Sequence, residues 1–291
     1  MGIRKIVYVF SLLLPGTVVG QVTSVMYPDF YTGYQMNMIY VNPAYVPEEV
    51  HADFTASYRF QTGAFRQIST LSFTGGKIFR KEAGSAQALR LVLSNEKQGP
   101  YISTPRGYIN YAYELPLSEE VSVSAGASAG LVQKYYSGTV ATGNTNALLP
   151  DAALGIGLRM RQLELGLACQ QILNSKSKSL SSIMEFRRHY QSYIHYLVRL
   201  SDQVGMRTTL LWRFLPTVQD EGMAGLAFVF KEAVSFGVIG RTNSECSFYG
   251  QFDIHSGMDV LRLYFFYNSP VLSPHQYVKT SMEIGVGYSL Y

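Results

Sequence analysis

The sequence predicts an all-β protein, a transmembrane outer-membrane β-barrel of about fourteen antiparallel strands with an N-terminal segment at the lumen or the periplasmic mouth. Three observations carry this. Only 15% of the 291 residues are charged while 47% are hydrophobic, against roughly 25% charged in an ordinary soluble domain, so part of the surface meets something other than water. No apolar run approaches the roughly 18 to 20 residues that a membrane-spanning helix needs. Apolar and polar residues alternate at period two along most of the chain, which gives each strand two unlike faces. The composition also excludes disorder and, with a formal charge of only +4, nucleic-acid binding. Cys169 and Cys246 alone cannot make a disulfide scaffold.

The first element is a secretory signal peptide over residues 1–20. Arg4 and Lys5 precede an apolar stretch from Ile6 to Val19 that contains Pro15 and Gly16 and closes on small residues before Gln21. That stretch is too short for a membrane anchor, and Pro15 would break it. Its removal takes away two basic and no acidic residues, leaving a formal charge of +2. Residues 21–51 follow as a periplasmic or lumen segment, and residues 52–291 form the barrel.

Barrel strands are expected near 52–60, 65–74, 86–94, 106–115, 121–133, 152–160, 163–170, 190–200, 204–213, 222–230, 233–241, 245–254, 258–267 and 280–290. In the first, Ala52, Phe54, Ala56, Tyr58 and Phe60 oppose Asp53, Thr55, Ser57 and Arg59; in the last, Ile284, Val286, Tyr288 and Leu290 oppose Glu283, Gly285, Gly287 and Ser289. One face suits acyl chains while the other carries charge, and every backbone group must pair because an unpaired one costs several kcal/mol in hydrocarbon. Links alternate short and long, as expected of periplasmic turns and outer loops. Two break the rule: 75–85 is long for a turn and 242–244 short for a loop. Arg59, Arg159, Glu164, Arg199, Arg207, Arg213 and Asp253 all fall on the lumen face, and mixed signs favour internal ion pairs over a charge-selective pore.

Apparent chemical motifs fail on context. Gly126-Ala127-Ser128-Ala129-Gly130 matches the G-x-S-x-G elbow of serine hydrolases, but it lies inside an alternating strand and not at a strand-to-helix turn. Gly155-x-Gly157 and Gly285-x-Gly287 lack the following helix of a phosphate loop and read as small residues that relieve lumen crowding. No catalytic, cofactor-binding or metal-ligating residue is expected, and no cofactor. Cys169 and Cys246 fall on the lipid face as apolar fillers. Lys176, Lys178, Arg187 and Arg188 make one long loop basic.

The phrase from Tyr31 to Tyr45 is the most specific in the chain. It resembles the opening of the PorP/SprF family of type IX secretion outer-membrane proteins, F-S-x-Y-x-x-N-P-x-x-x-N-P-A-Y-A-G. Tyr34, Asn37 and Asn42-Pro43-Ala44-Tyr45 match outright, Tyr31 and Thr32 are close substitutes, Met38 replaces a proline, and Val46-Pro47 replaces Ala-Gly. The likeness continues at Tyr58-Arg59, through Pro150 to Gly157, through Gly237 to Arg241, and at Glu283-Ile284. It implies a non-enzymatic barrel in the outer membrane of a Gram-negative bacterium of the Bacteroidota. Its partners would be type IX secretion components and secreted surface proteins or adhesins, including those of gliding motility, with outer-membrane lipid around it. Tyr31, Tyr34, Asn37, Asn42, Pro43 and Tyr45 are the candidate partner-binding residues, either ordering a docking surface or shaping the barrel entrance. The alternative function is a passive porin or hydrophobic-substrate transporter; an outer-membrane lipase working through Ser128 ranks behind both.

Overall fold

In a computed structural model the chain is described at residues 22–28, 32–81, 84–137, 144–178, 182–242, 245–270 and 280–291. The expected signal peptide, 1–20, lies outside these. The described strands are β1 (Val22–Met26), β2 (Ala52–Gln61), β3 (Ile68–Arg80), β4 (Ala86–Gln98), β5 (Ile102–Pro116), β6 (Val121–Ser137), β7 (Asn144–Met160), β8 (Leu163–Gln170), β9 (Lys176–Lys178), β10 (Ser182–Phe186), β11 (His189–Ser201), β12 (Val204–Phe214), β13 (Glu221–Phe230), β14 (Val234–Arg241), β15 (Glu245–Ser256), β16 (Asp259–Pro270) and β17 (Ser281–Leu290).

Fourteen of them, β2–β8 and β11–β17, close into one antiparallel barrel; β17 pairs with β2 in continuous register from Ser281↔Gln61 to Leu290↔Ala52. Closure removes the unpaired edge that hydrocarbon would not tolerate. Period-two alternation sets the two faces as expected: Leu71, Ile109, Ile156 and Leu167 are more than half exposed on the outer face, while Arg59, Ser72, Asn110 and Glu283 are buried inside. Cys169 and Cys246 are free thiols, half-buried, on strands whose outward neighbours are Leu167 and Phe248.

At the end where β2 begins and β17 finishes, all links are short: 81–85, 117–120, 161–162, 202–203, 231–233 and 257–258. Arg161, in a two-residue turn, takes a left-handed φ of 50°, the conformation such hairpin turns require. Among the links described throughout, 62–67, 99–101 and 215–220 lie at the opposite, loop end. The expected long link 75–85 disappears because β3 continues to Arg80, whereas 242–244 stays short. Arg199 keeps the face of Tyr193 and His195 in the β11 register, but at the end of the strand its side chain is open at the rim, 4.0 Å from Glu232. The long link 171–188 folds over the loop end, where β10 pairs antiparallel with β9 and parallel with β1.

Candidate functional site

The N-terminal segment threads the barrel from end to end. β1 lies at the loop end on β10; the chain then passes through the lumen as two 3-10 turns, Thr32–Met36 and Met38–Tyr40, and leaves at the short-turn end, where the His51 amide donates to the Leu290 carbonyl at 2.6 Å. Local sequence explains the compact path. Thr32–Met36 and Met38–Tyr40 each make little more than one 3-10 turn, the length at which this tighter helix is usually found, and Asn37 separates them. Asn42 then ends them: its Oδ1 accepts from the Ala44 amide at 2.9 Å, an Asx turn, and Pro43 fixes the next φ.

The barrel wall grips this plug by its backbone. Asn42 Nδ2 donates to the Ile156 carbonyl at 2.8 Å, Asn110 Nδ2 to the Pro43 carbonyl at 2.9 Å, and Gln170 Nε2 to the Val41 carbonyl at 3.0 Å. Arginines take the carbonyls nearer the short-turn end: Arg90 that of Tyr45, Arg159 that of Val46 at 2.5 Å and Arg80 that of Pro47 at 2.5 Å. On other sides, Asn37 Nδ2 reaches Thr74 Oγ1 at 2.8 Å, the Tyr40 hydroxyl reaches the Leu93 carbonyl at 2.7 Å, and the Gly33 amide donates to Glu283 at 3.2 Å. Contacts to β3, β4, β5, β7, β8 and β17 mean that the plug crosses the lumen, and the wall side chains satisfy the plug carbonyls from Val41 to Pro47 that they reach.

Glycines make the room. A Cβ at Gly126 would strike the Pro43 carbonyl, one at Gly155 the Asn42 side chain, and one at Gly33 the Glu283 carboxylate. An apolar layer crosses the lumen beside these polar contacts: Tyr34, Met38 and Val41 pack with Tyr193, Leu211, Met223, Ile239, Tyr249 and Phe266 of β11–β16. A second cluster joins Val46 and Val50 to Ile78, Ala86, Ala88 and Ala112.

Charges on the inner wall are largely matched: Arg106–Glu96 at 3.0 Å, Arg159–Glu114 at 2.7 Å, Arg241–Glu245 at 2.6 Å and Arg262–Asp253 at 3.1 Å. Burial pushes the Tyr40 and Tyr45 hydroxyls above the ordinary phenol range, helped by Tyr34 beside the first and Glu164 beside the second, so both stay neutral. Cavities remain on either side of the plug, one of about 80 Å³ toward the loop end that touches Tyr34, Tyr40, Tyr108 and Gln171, and one of about 290 Å³ toward the short-turn end.

Of the six candidate partner-binding residues, Tyr31 lies outside the described residues and the other five belong to the plug. Tyr34, Asn42 and Pro43 are buried, while Asn37 and Tyr45 are half-buried. Their polar atoms meet the plug itself or the barrel wall. The apolar lumen sector escaped the sequence reading, although side-by-side apolar residues at Leu210-Leu211 and Phe265-Phe266, one facing each way, are its signal. Ser128 of the false hydrolase motif sits within β6, 3.0 Å from Asn110 Nδ2. In the basic loop, Lys176 and Arg187 both pair with Glu185, and Arg188 donates to the Ile172 carbonyl.

A closed barrel with an apolar outer face and a self-threaded, charge-matched lumen defines an integral outer-membrane protein. The chain belongs to the PorP/SprF family, type IX secretion system membrane proteins, whose model matches residues 24–288. Among solved structures it is similar to the CymD monoaromatic hydrocarbon channel (12% identity, TM-score 0.61, covering 91% of this chain and 94% of that one). It is also similar to a Pseudomonas aeruginosa FadL homologue (9%, 0.54, 86% and 92%) and to the Pseudomonas putida toluene transporter TodX (8%, 0.52, 93% and 95%). At these identities the likeness is one of fold. Among curated proteins none matches the chain.

Proposed function

We propose that this barrel is a non-enzymatic component of the type IX secretion system that assists export or surface anchoring of secreted proteins, gliding adhesins among them, through protein–protein contacts. It does so in the outer membrane of a bacterium of the Bacteroidota after signal-peptide-directed export. Family membership over residues 24–288 carries the reading. The plug supports it, because a lumen crossed by the chain's own N-terminal segment suits a docking or anchoring platform better than a passive conduit. In this reading Tyr31, Tyr34, Asn37, Asn42, Pro43 and Tyr45 set the position of the plug, and the surfaces it offers at the two mouths meet secretion components and cargo.

The test is removal of the protein from its host, with surface proteins compared by fractionation: at least one secreted protein should disappear from the cell surface and return on complementation. An unchanged surface proteome overturns the proposal. The alternative of a hydrophobic-substrate transporter or porin draws on the fold shared with hydrocarbon channels. Planar-bilayer recordings separate it, since a persistently open conducting state of the wild-type chain would favour the channel.

A further inference from the structure

The cavity of about 290 Å³ at the short-turn end has four arginines in its lining, Arg159, Arg161, Arg207 and Arg262, against two glutamates, Glu48 and Glu164. Three of the arginines are committed, Arg159 to Glu114 at 2.7 Å, Arg161 to Glu120 at 2.5 Å and Arg262 to Asp253 at 3.1 Å. Glu164 is committed as well: it accepts the Tyr193 hydroxyl at 2.7 Å and stands opposite Arg159 in the β7–β8 register. Glu48 is exposed at the mouth.

Arg207 stands apart. Its side chain has no ion pair and no hydrogen-bond partner among the described residues, and its neighbours across the two ladders are Leu197 and Ala227, whose side chains cannot serve it. One row further from the turn, His195 and Thr209 face each other across β11 and β12, and the buried His195 Nε2 has no partner either. A guanidinium that lines a cavity presents a planar fork of N–H donors whose natural complement is a carboxylate or phosphate.

We propose that this cavity binds one carboxylate, held by Arg207 with the Thr209 hydroxyl and the His195 Nε2–H as further donors, and that a polypeptide supplies it as an acidic side chain or chain end entering from the short-turn end. A carboxylate is selected over a phosphate because Glu164 and Glu48 already stand in the lining, and a dianion would meet about twice the repulsion from them that a monoanion meets. The anion site stands on the geometry alone; the polypeptide source rests on the secretion reading.

The test uses the full mature chain folded in detergent, with folding of each variant checked by heat-modifiable gel mobility, and a fluorescein-labelled triglutamate peptide as probe. The peptide should bind saturably, sodium acetate should displace it where sodium chloride of equal ionic strength does not, and Arg207→Gln should weaken binding roughly tenfold with partial recovery in Arg207→Lys. Arg199→Gln removes the same charge from the exposed rim and should leave binding unchanged. Absence of saturable binding, equal weakening by Arg199→Gln, or displacement by inorganic phosphate roughly tenfold better than by acetate overturns the carboxylate site. In the host, lost export in Arg207→Gln supports a polypeptide source. Normal export alongside Arg207-dependent binding in vitro overturns that source while the site stands, and failure of the binding arm leaves the secretion reading untouched.

Discussion

Asn42 concentrates the chemistry of the plug in one side chain. Its amide donates to the Ile156 carbonyl at 2.8 Å, its Oδ1 accepts from the Ala44 amide at 2.9 Å, and its backbone amide donates to the Met38 carbonyl at 2.8 Å, all with the residue fully buried. Asn42→Asp keeps the shape and the Asx turn but replaces the donor with an oxygen facing a carbonyl, which should cost about 1 to 3 kcal/mol or more. Denaturant unfolding in lipid vesicles measures it, and a loss below about 0.5 kcal/mol would show that the Ile156 bond carries no weight. Gly155 tests the same contact from the wall: Gly155→Val drives a branched side chain into Asn42, an overpacking worth about 1 to 3 kcal/mol, and should leave the plug open to proteolysis while the barrel stays folded. Protection of the plug equal to wild type would contradict this. The Asn42-Pro43 turn was legible because Asn and Pro have fixed local habits. That Gly126 and Gly155 exist to admit this turn was not, because sequence places them only on a strand face and not against a segment more than eighty residues away.

The barrel strands were legible for the reason that lipid imposes: one face of Ala52–Gln61 or Val121–Ser137 must be uniformly apolar, and a period of two is visible in any short window. Their ends were less so. β3 runs past Thr74 through Gly75-Gly76-Lys77, where glycines blur the alternation but the pairing to β4 continues to Arg80↔Ala86. The apolar lumen sector of β11–β16 was hidden for a further reason, since inward Leu211, Ile239 and Phe266 make sense only once Tyr34, Met38 and Val41 are known to face them. Together these contacts make the plug a structural member of the barrel. Deleting residues 32–50 should therefore leave the outer face intact and open the lumen, so that planar-bilayer recordings change from closed or rarely conducting to steadily open. A deletion variant that folds and stays closed would mean that other segments block the lumen.

Across the whole molecule, hydrogen-bonded closure and plug burial are coupled, because the same arginines and asparagines that line the wall satisfy the plug carbonyls. The two plug tyrosines make that coupling sensitive to alkali. Burial, with Tyr34 adding to it at Tyr40 and Glu164 at Tyr45, raises both hydroxyls above the value near 10 that they take in an unfolded chain. A group whose folded value is raised contributes stability that is fully present below the unfolded value and is lost as pH climbs beyond it, because the unfolded chain then releases a proton that the folded chain retains. Stability should thus be flat with respect to these groups from about pH 7 to 9 and fall above about pH 10. Denaturant midpoints of the reconstituted barrel over that range provide the measurement. The double variant Tyr40→Phe/Tyr45→Phe, which removes both titrations and also the Tyr40 bond to Leu93, should start lower yet decline less steeply. Parallel slopes in the two proteins would place the alkaline loss in the other tyrosines and free the plug of any part in it.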